Sequence, residues 1–401
     1  MTATTSSVPA GSMVQRPTSV DEAAGVLRDS RGSVLFRGAG TKIGWAGRVQ
    51  DPDLVLETGG LHRLLDHNPA DMTASAQAGM PLRALQDRLA EAGQWLALDP
   101  ATESAGATLG GLLATGESGP RRLRYGALRD LVIGVTLVLP DGTVARAGGH
   151  VIKNVAGYDL TKLMYGSLGT LGLIAEVVVR LHPRPEISST VVVPSTAQEA
   201  TARSLDLLAS PLEPSAVDWV GDPRPGSSGR LAVRFEGTAP GVAAQTAALR
   251  DRLDGAASDV LADADESALW REYADARRAG PGQSTAFAGT LPSRTSAVAA
   301  ALADAADAAG VDVELASHTA SGLHTARFSG PPAQQAPAFD RWRRAVSALG
   351  GTVLLRERPA EMDAAVDPLG PAPSAVGLLR ALKARLDPGA RCARGRFAPW
   401  L

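Results

Sequence analysis

Residues 104–119 read SAGATLGGLLATGESG, a run of small residues almost without interruption that continues to Tyr125-Gly126. With no side chain to intrude, such a run lies flat against a ring or a diphosphate, although a crowded helix–sheet contact selects the same residues. Glycine is concentrated around it: residues 101–172 hold fourteen of the 43 glycines, about one residue in five. Glycine permits φ > 0 and lets successive N–H groups converge on an anion, so glycine turns placed after strands suit a phosphate-bearing cofactor. Upstream, Arg37-Gly38-Ala39-Gly40-Thr41-Lys42 follows a short apolar strand ending at Phe36. Two glycines, a hydroxyl and two cations in six residues suit a pyrophosphate, and a plain turn is the other reading. The loop is neither a Rossmann fingerprint, since Ile43 takes the third glycine position, nor a Walker A loop. Downstream, Lys153-Asn154-Val155-Ala156-Gly157-Tyr158-Asp159-Leu160 leads to Gly166-Ser167-Leu168-Gly169-Thr170-Leu171-Gly172-Leu173-Ile174 and into a strand. Of four lysines in the chain, Lys42, Lys153 and Lys162 lie in or beside these loops.

The elements between the loops indicate an α+β fold. Ser19 and Glu22 make a capping-box pattern that opens a helix. Pro81 and Gly93 bracket another, with Leu82, Leu85 and Leu89 on one face. From Asp130 the alternation LVIGVTLVLPDGTVARAGG, with Pro140-Asp141-Gly142 at its centre, reads as an antiparallel hairpin. Residues 173–181 form a further strand, and His182-Pro183-Arg184-Pro185 ends regular structure. Short β runs then alternate with Ala-rich helical stretches to about residue 368, as expected for helices on one face of an antiparallel sheet. The expected organisation is a disordered N-terminus (1–15), a cofactor domain (16–186), a smaller second domain (187–368) and a segment returning to the first (369–401).

Forty Lys+Arg against 42 Asp+Glu leave a net charge of -2, with no basic field for nucleic acid. Cys392 is the single cysteine, which excludes an internal disulfide and a cysteine-ligated iron–sulfur cluster on this chain. No signal-peptide core and no stretch of about 18 apolar residues is found, so a cytoplasmic chain without an integral membrane segment is expected, peripheral to a membrane only through partners. Arg121, Arg122 and Arg124 suit phosphates or an acid substrate, or a solvated face; Tyr125 and Tyr158 line a cofactor or simply pack.

RGAGTK (37–42), ATLGGLLATGESGPRRLRYGALRDLVIGVTLVLPDGTV (107–144) and KNVAGYDLTKLMYGSLGTLGLI (153–174) resemble, in order and spacing, three signatures of FAD-linked oxidases of the vanillyl-alcohol oxidase/p-cresol methylhydroxylase type. The third is especially similar to the second flavin subunit, the E subunit, of glycolate oxidase. The resemblance covers about residues 16–185. It implies a two-subdomain FAD-binding domain plus a smaller antiparallel-sheet cap, and noncovalent FAD. The first loop, Arg37 to Lys42, would hold the pyrophosphate. Gly106, Ala107, Thr108, Gly110, Gly111, Ala114, Thr115, Gly119, Tyr125 and Gly126 would wrap the flavin and phosphates. Gly157, Gly169, Thr170, Gly172 and Ile174 would contact the cofactor largely through main chain.

Members of that family that oxidise 2-hydroxy acids alone usually carry His-x-Gly-Asp-Gly-Asn-x-His, whose histidines hold a divalent metal, and a later Glu-His-Gly. Here the nearest counterpart is His318-Thr319-Ala320-Ser321-Gly322-Leu323-His324, one residue shorter and without Asp or Asn. No metal is expected, and His318 and His324 are weak candidates for a catalytic base. The resemblance implies an FAD-binding subunit of a glycolate (2-hydroxy acid) oxidase complex, with a second flavin subunit and an iron–sulfur subunit that accepts the electrons. The alternative is a self-sufficient FAD-dependent 2-hydroxy acid dehydrogenase. A scaffold with a decayed flavin site is disfavoured by three intact glycine loops.

Overall fold

The structure, a computed structural model, describes residues 11–151 and 159–401. The chain is divided into two compact units. Unit 1 takes the chain up to Ser118, Gly126–Arg184 and Pro371–Leu401; unit 2 takes Gly119–Tyr125 and Pro185–Gly370. The sequence put boundaries after residues 186 and 368; the division falls after Arg184 and Gly370, and adds the excursion Gly119–Tyr125, of which the sequence gives no sign.

Unit 1 opens with β1 (Met13–Gln15), α1 (Val20–Asp29), β2 (Val34–Arg37) and β3 (Leu54–Glu57), whose strands form a parallel sheet in the order β1-β3-β2. Met13–Gln15 lie inside the stretch expected to be disordered, and their pairing with Leu54–Leu56 corrects that expectation for these residues. Ser19 caps α1, its Oγ accepting from the Glu22 amide at 3.1 Å, while the Glu22 carboxylate reaches back to Thr18. Next come β4 (Leu64–Asn68), β5 (Thr73–Gln77), α2 (Leu82–Ala90), β6 (Gln94–Trp95) and α3 (Leu109–Thr115). The chain enters unit 2 as α4 (Arg122–Tyr125) and returns as α5 (Leu128–Leu131). Then follow β7 (Val132–Val138), β8 (Val144–Gly148), α6 (Leu160–Met164), β9 (Leu173–Arg180) and β10 (His182–Pro183).

Five of these strands build an antiparallel sheet, β4-β5-β9-β7-β8, and β6 pairs with β10. The β7–β8 turn uses the chemistry read from sequence: Gly142 has φ +83°, and Asp141 Oδ1 accepts from the Thr143 amide at 2.8 Å. Central β9 is buried on both sides. Leu173 and Ala175 pack with Val20, Leu27, Val34 and Leu54, while Ile174, Val177 and Val179 pack with Leu82, Leu85, Leu89 and Leu112. That explains why LIAEVVVRL is a nearly continuous apolar run rather than an alternating one.

Unit 2 contains β11 (Ile187–Ser195), α7 (Ala197–Leu208), β12 (Ala216–Gly221), β13 (Gly229–Gly237), α8 (Ala239–Arg252), β14 (Asp259–Leu261) and α9 (Asp263–Asp275). It continues through β15 (Ser284–Gly289), α10 (Thr295–Ala309), β16 (Asp312–His318), β17 (Leu323–Ser329), α11 (Pro332–Ala348) and β18 (Thr352–Glu357). Its strands form one antiparallel sheet, β14-β11-β13-β12-β16-β17-β15-β18. Helices α7, α8, α10 and α11 cover one face, burying Trp219 and Trp342, whose indole N–H groups donate to the Ser195 and Val298 carbonyls. A fifth helix, α9, packs Leu269 and Tyr273 onto the other face over Val192, Val220 and Ala232. The remainder of that second face is polar, with Asp218, Arg234, Glu236 and His318 buried on it.

The last element, α12 (Val376–Leu386), belongs to unit 1 together with the tail that follows. Arg391 donates to the carbonyls of Gly32, Leu27 and Pro140, and Cys392 bridges Val34 beside β2. Among the described residues no helix is long and apolar enough to cross a membrane.

Candidate functional site

The three glycine segments of unit 1 converge on one groove. Its walls are the loop Arg37–Lys42, the first turns of α3 with Thr108, Gly110 and Gly111, its last residues Ala114 and Thr115, and the Leu168–Ile174 segment. The groove is open to solvent, and the space between its walls, open solvent included, is about 810 Å³. Glycine is dictated by closeness at Gly38, where a Cβ would lie 2.4 Å from Thr108 Oγ1, the hydroxyl that caps α3 through the Gly111 amide. The third segment is fastened to the end of α3. Gly166 and Leu168 amides donate to the Leu113 and Ala114 carbonyls at 3.0 and 2.7 Å, and Tyr165 Oη donates to Gly116 O at 2.9 Å. Those carbonyls would otherwise lack helix partners. Leu168 and Gly169, at φ +52° and +74°, then make the tight turn closed by the Thr170 amide on Ser167 O.

The cations expected to meet phosphate are already committed. Lys42 Nζ, with its side chain 4% exposed, lies 3.0 Å from both Glu117 Oε2 and Thr102 Oγ1. Arg37 lies 3.8 Å from Glu57, which also takes Arg16. Lys162 pairs with Asp159 at 2.8 Å on the surface. Asp159 stays at about 2 because hydrogen bonds from Lys162 and Thr161 outweigh the upward push of burial. Lys153 lies outside the described residues, as do Gly157 and Tyr158. Among the described residues the cations of the first glycine loop thus act on an anion as members of ion pairs, beside the backbone amides of that loop.

Several expected residues fall elsewhere. Gly106 caps a short turn at φ +82°, Ala107 is buried with its carbonyl accepting from the Leu82 amide, and Gly126 sits beside the Asp130 carboxylate. Thr170 is buried, its hydroxyl donating to Ser167 O and its carbonyl accepting from Lys383. Gly119 and Tyr125 belong to unit 2, where Arg121 ion-pairs with Glu236 at 2.8 Å. Burial raises the Tyr125 phenol's pKa, and the Glu236 charge adds to it. The sequence reading missed Phe36, Thr58, Ala78, Leu168, Ala393 and Arg396, all of which line the groove. Arg396 donates from one guanidinium nitrogen to the carbonyls of Ile43, Trp45 and Gly47 at 2.9, 2.6 and 3.0 Å, and no local pattern in the tail announces it.

The two histidines of unit 2 do not meet. On the β16–β17 hairpin Ser317 pairs with His324 and His318 with Leu323, so alternation sends the two rings to opposite faces. His324 joins the large core, Nδ1 2.9 Å from Ser317 Oγ and Nε2 3.0 Å from Thr290 Oγ1, and burial lowers its pKa to about 3. His318 lies on the polar face, Nδ1 2.8 Å from Asp218 Oδ1, while Arg277 holds Oδ2 at 2.5 Å. Burial lowers the His318 pKa, and Arg277 works in the same direction against the pull of Asp218. Burial would raise the Asp218 pKa, but its interactions with His318 and Arg277 keep it low. A carboxylate accepts only, so Nδ1 carries the proton and the Nε2 lone pair is the ring's base. A metal shared by the two histidines is excluded by this geometry, and among the described residues no cluster of three His, Cys, Asp or Glu is placed to hold one.

Comparison with known proteins agrees with the groove. Residues 11–148 match the family described as FAD binding domain. The chain is 32% identical over 211 residues to glycolate oxidase subunit GlcD of Bacillus subtilis, covering 52% of this chain and 45% of the relative. It is 38% identical over 152 residues to glycolate oxidase subunit GlcE of Escherichia coli, covering 38% and 43%. Against D-lactate dehydrogenase of Archaeoglobus fulgidus it is 29% identical over 211 residues, covering 52% and 47%. These matches span less than half the length of the curated relatives. Among solved structures, an alkyldihydroxyacetonephosphate synthase superposes over 95% of this chain and 76% of its own, with TM-score 0.69 and 19% identity, a likeness of fold.

Proposed function

We propose that this chain, whose residues 11–148 match the family described as FAD binding domain and which is similar to two glycolate oxidase subunits, is the FAD-binding subunit of a 2-hydroxy acid oxidase or dehydrogenase. The observation that carries the reading is the groove, which three sequence-distant glycine segments line together. Amides of Gly38 to Lys42 would take the diphosphate. Gly110, Gly111, Ala114 and Thr115 would lie along the cofactor on one side and Gly169, Gly172 and Ile174 on the other. No His, Cys or Tyr is among the described residues lining the groove, which suits noncovalent FAD. When bound, the flavin would accept a hydride equivalent from C2 of the acid.

Of the two candidate bases the geometry favours His318, oriented by Asp218, over His324, whose ring nitrogens both face hydroxyls. The substrate class follows the relatives named for glycolate, D-lactate and D-2-hydroxyglutarate. The lone cysteine, Cys392, is buried, so a cluster that takes the electrons onward would belong to an iron–sulfur partner, with a second flavin subunit beside it. The test is the visible spectrum of the purified full-length chain under anaerobic conditions, before and after glycolate. A flavin spectrum is expected. Bleaching by glycolate would show that the chain is sufficient for substrate oxidation; flavin that stays oxidised until partners are added would make it partner-dependent. A colourless protein that takes up no added FAD would overturn the reading.

A further inference from the structure

Lys42 is one of the residues that line the groove, and its ammonium lies in a buried cluster with Thr102 and Glu117, which stand behind the lining. Glu117 is saturated by donors: Lys42 Nζ at 3.0 Å, the Thr102 hydroxyl at 2.5 Å and the Thr102 amide at 3.1 Å. Thr102 Oγ1 also accepts from Lys42 at 3.0 Å. Side chains of both ions are 4–5% exposed, so neither charge is diluted by water. The cluster ties the first glycine loop to residues 60 and 75 positions later, at the two ends of the second glycine segment.

Neither an acid nor a lysine is needed to hold a loop at this place; two apolar side chains of the same size would do so at lower desolvation cost. A buried ion pair anchored on a residue of an anion groove has a second property. The two charges offset one another at the groove while both partners are present, and that balance is lost when either is removed.

We infer, building on the FAD-subunit reading, that Lys42 is a fixed cation acting on the cofactor's diphosphate and that Glu117 is the positioning residue that moderates it. Together they set how tightly the dinucleotide is held. A dinucleotide brings two negative charges to the loop; Lys42 without Glu117 would hold them more tightly, and Glu117 without Lys42 would repel them.

The experiment measures dissociation constants of FAD from the full-length apoprotein, by flavin fluorescence, for the wild type, Glu117→Gln, Lys42→Met and the double variant. ADP, which carries a diphosphate and no flavin, serves as competitor. Removal of the carboxylate should tighten FAD at least about tenfold and removal of the ammonium should weaken it by a similar factor. The uncharged double variant should return to within a few-fold of the wild type and guards against a single variant that fails to fold. ADP should follow the same order. A merely structural cluster would loosen the loop in either single variant, so a shift in the same direction for both, or no shift, overturns the inference. FAD constants that reverse while those of ADP stay level overturn the placement at the diphosphate. An apoprotein that binds no FAD in any form overturns the FAD-subunit reading itself, an outcome separate from the other two.

Discussion

His324 is held between two hydroxyls, and that small arrangement has a measurable consequence. Ser317 and Thr290 satisfy both ring nitrogens without any charge, in a site from which water is excluded. Its folded pKa, lowered to about 3 from an ordinary 6.5, means that between those values the unfolded chain binds a proton and the folded chain does not. Stability from this group is complete above about pH 6.5 and is lost as the pH falls towards 3, by up to about 1.4 kcal/mol per unit. His324→Gln keeps a donor and an acceptor but cannot titrate. The wild-type melting temperature should therefore fall more steeply than that of the variant between pH 6.5 and 4.5, as followed by circular dichroism. Equal slopes would show that His324 is protonated in the folded protein. Nothing in the heptapeptide His318–His324 distinguishes these rings, because which face each takes is set by strand alternation once β16 and β17 pair.

At the level of elements, the parts readable from sequence were those whose reasons are local. The capped α1, the Asp141-Gly142 turn and the glycine loop after β2 each depend on residues within a few positions of one another. Contacts that carry the tail across hundreds of residues leave no such trace. Asp387 is the hinge of that tail: it accepts from the Arg391 and Cys392 amides and from Lys383, which in turn donates to Thr170 O beside the groove. Burial pushes its pKa up, yet these donors keep it below the usual carboxylate value. Further along, Arg396 holds the carbonyls of Ile43, Trp45 and Gly47, adjoining the first glycine loop. Arg396→Ala would leave these acceptors short of donors at about 1–3 kcal/mol for each that water cannot reach. The expected result is a lower melting temperature for unit 1 and FAD binding weakened at least about tenfold, with partial recovery in Arg396→Lys. Unchanged FAD affinity in Arg396→Ala would show that the tail does not support the groove.

For the whole molecule, the feature least visible in the sequence is that neither unit is a continuous piece of chain. The excursion Gly119–Tyr125 leaves unit 1 between two motifs of the groove and is secured in unit 2 by Arg121 on Glu236, 115 residues away. An arginine cluster read from sequence as a surface or a phosphate contact is thus in part an internal fastening. Glu236 is buried, with its side chain 1% exposed; burial acts to raise its pKa, and Arg121 and Arg234 outweigh it. In Arg121→Ala the carboxylate loses its bidentate partner and remains buried, at a cost of about 3 kcal/mol. Pairing that change with Glu236→Gln removes the stranded charge and should recover most of the loss. Because the folded pKa lies below the unfolded value of 4.5, the stabilisation is complete above that pH and disappears as the pH falls through the folded pKa. The penalty of Arg121→Ala should accordingly be full at pH 7 and shrink in acid. Two units need not unfold together, so the transition should be followed at more than one signal rather than treated as two-state. Urea unfolding of the single and double variants at pH 7 and pH 4 measures the effect, and a double variant no more stable than Arg121→Ala would mean that Glu236 is held by Arg234 alone.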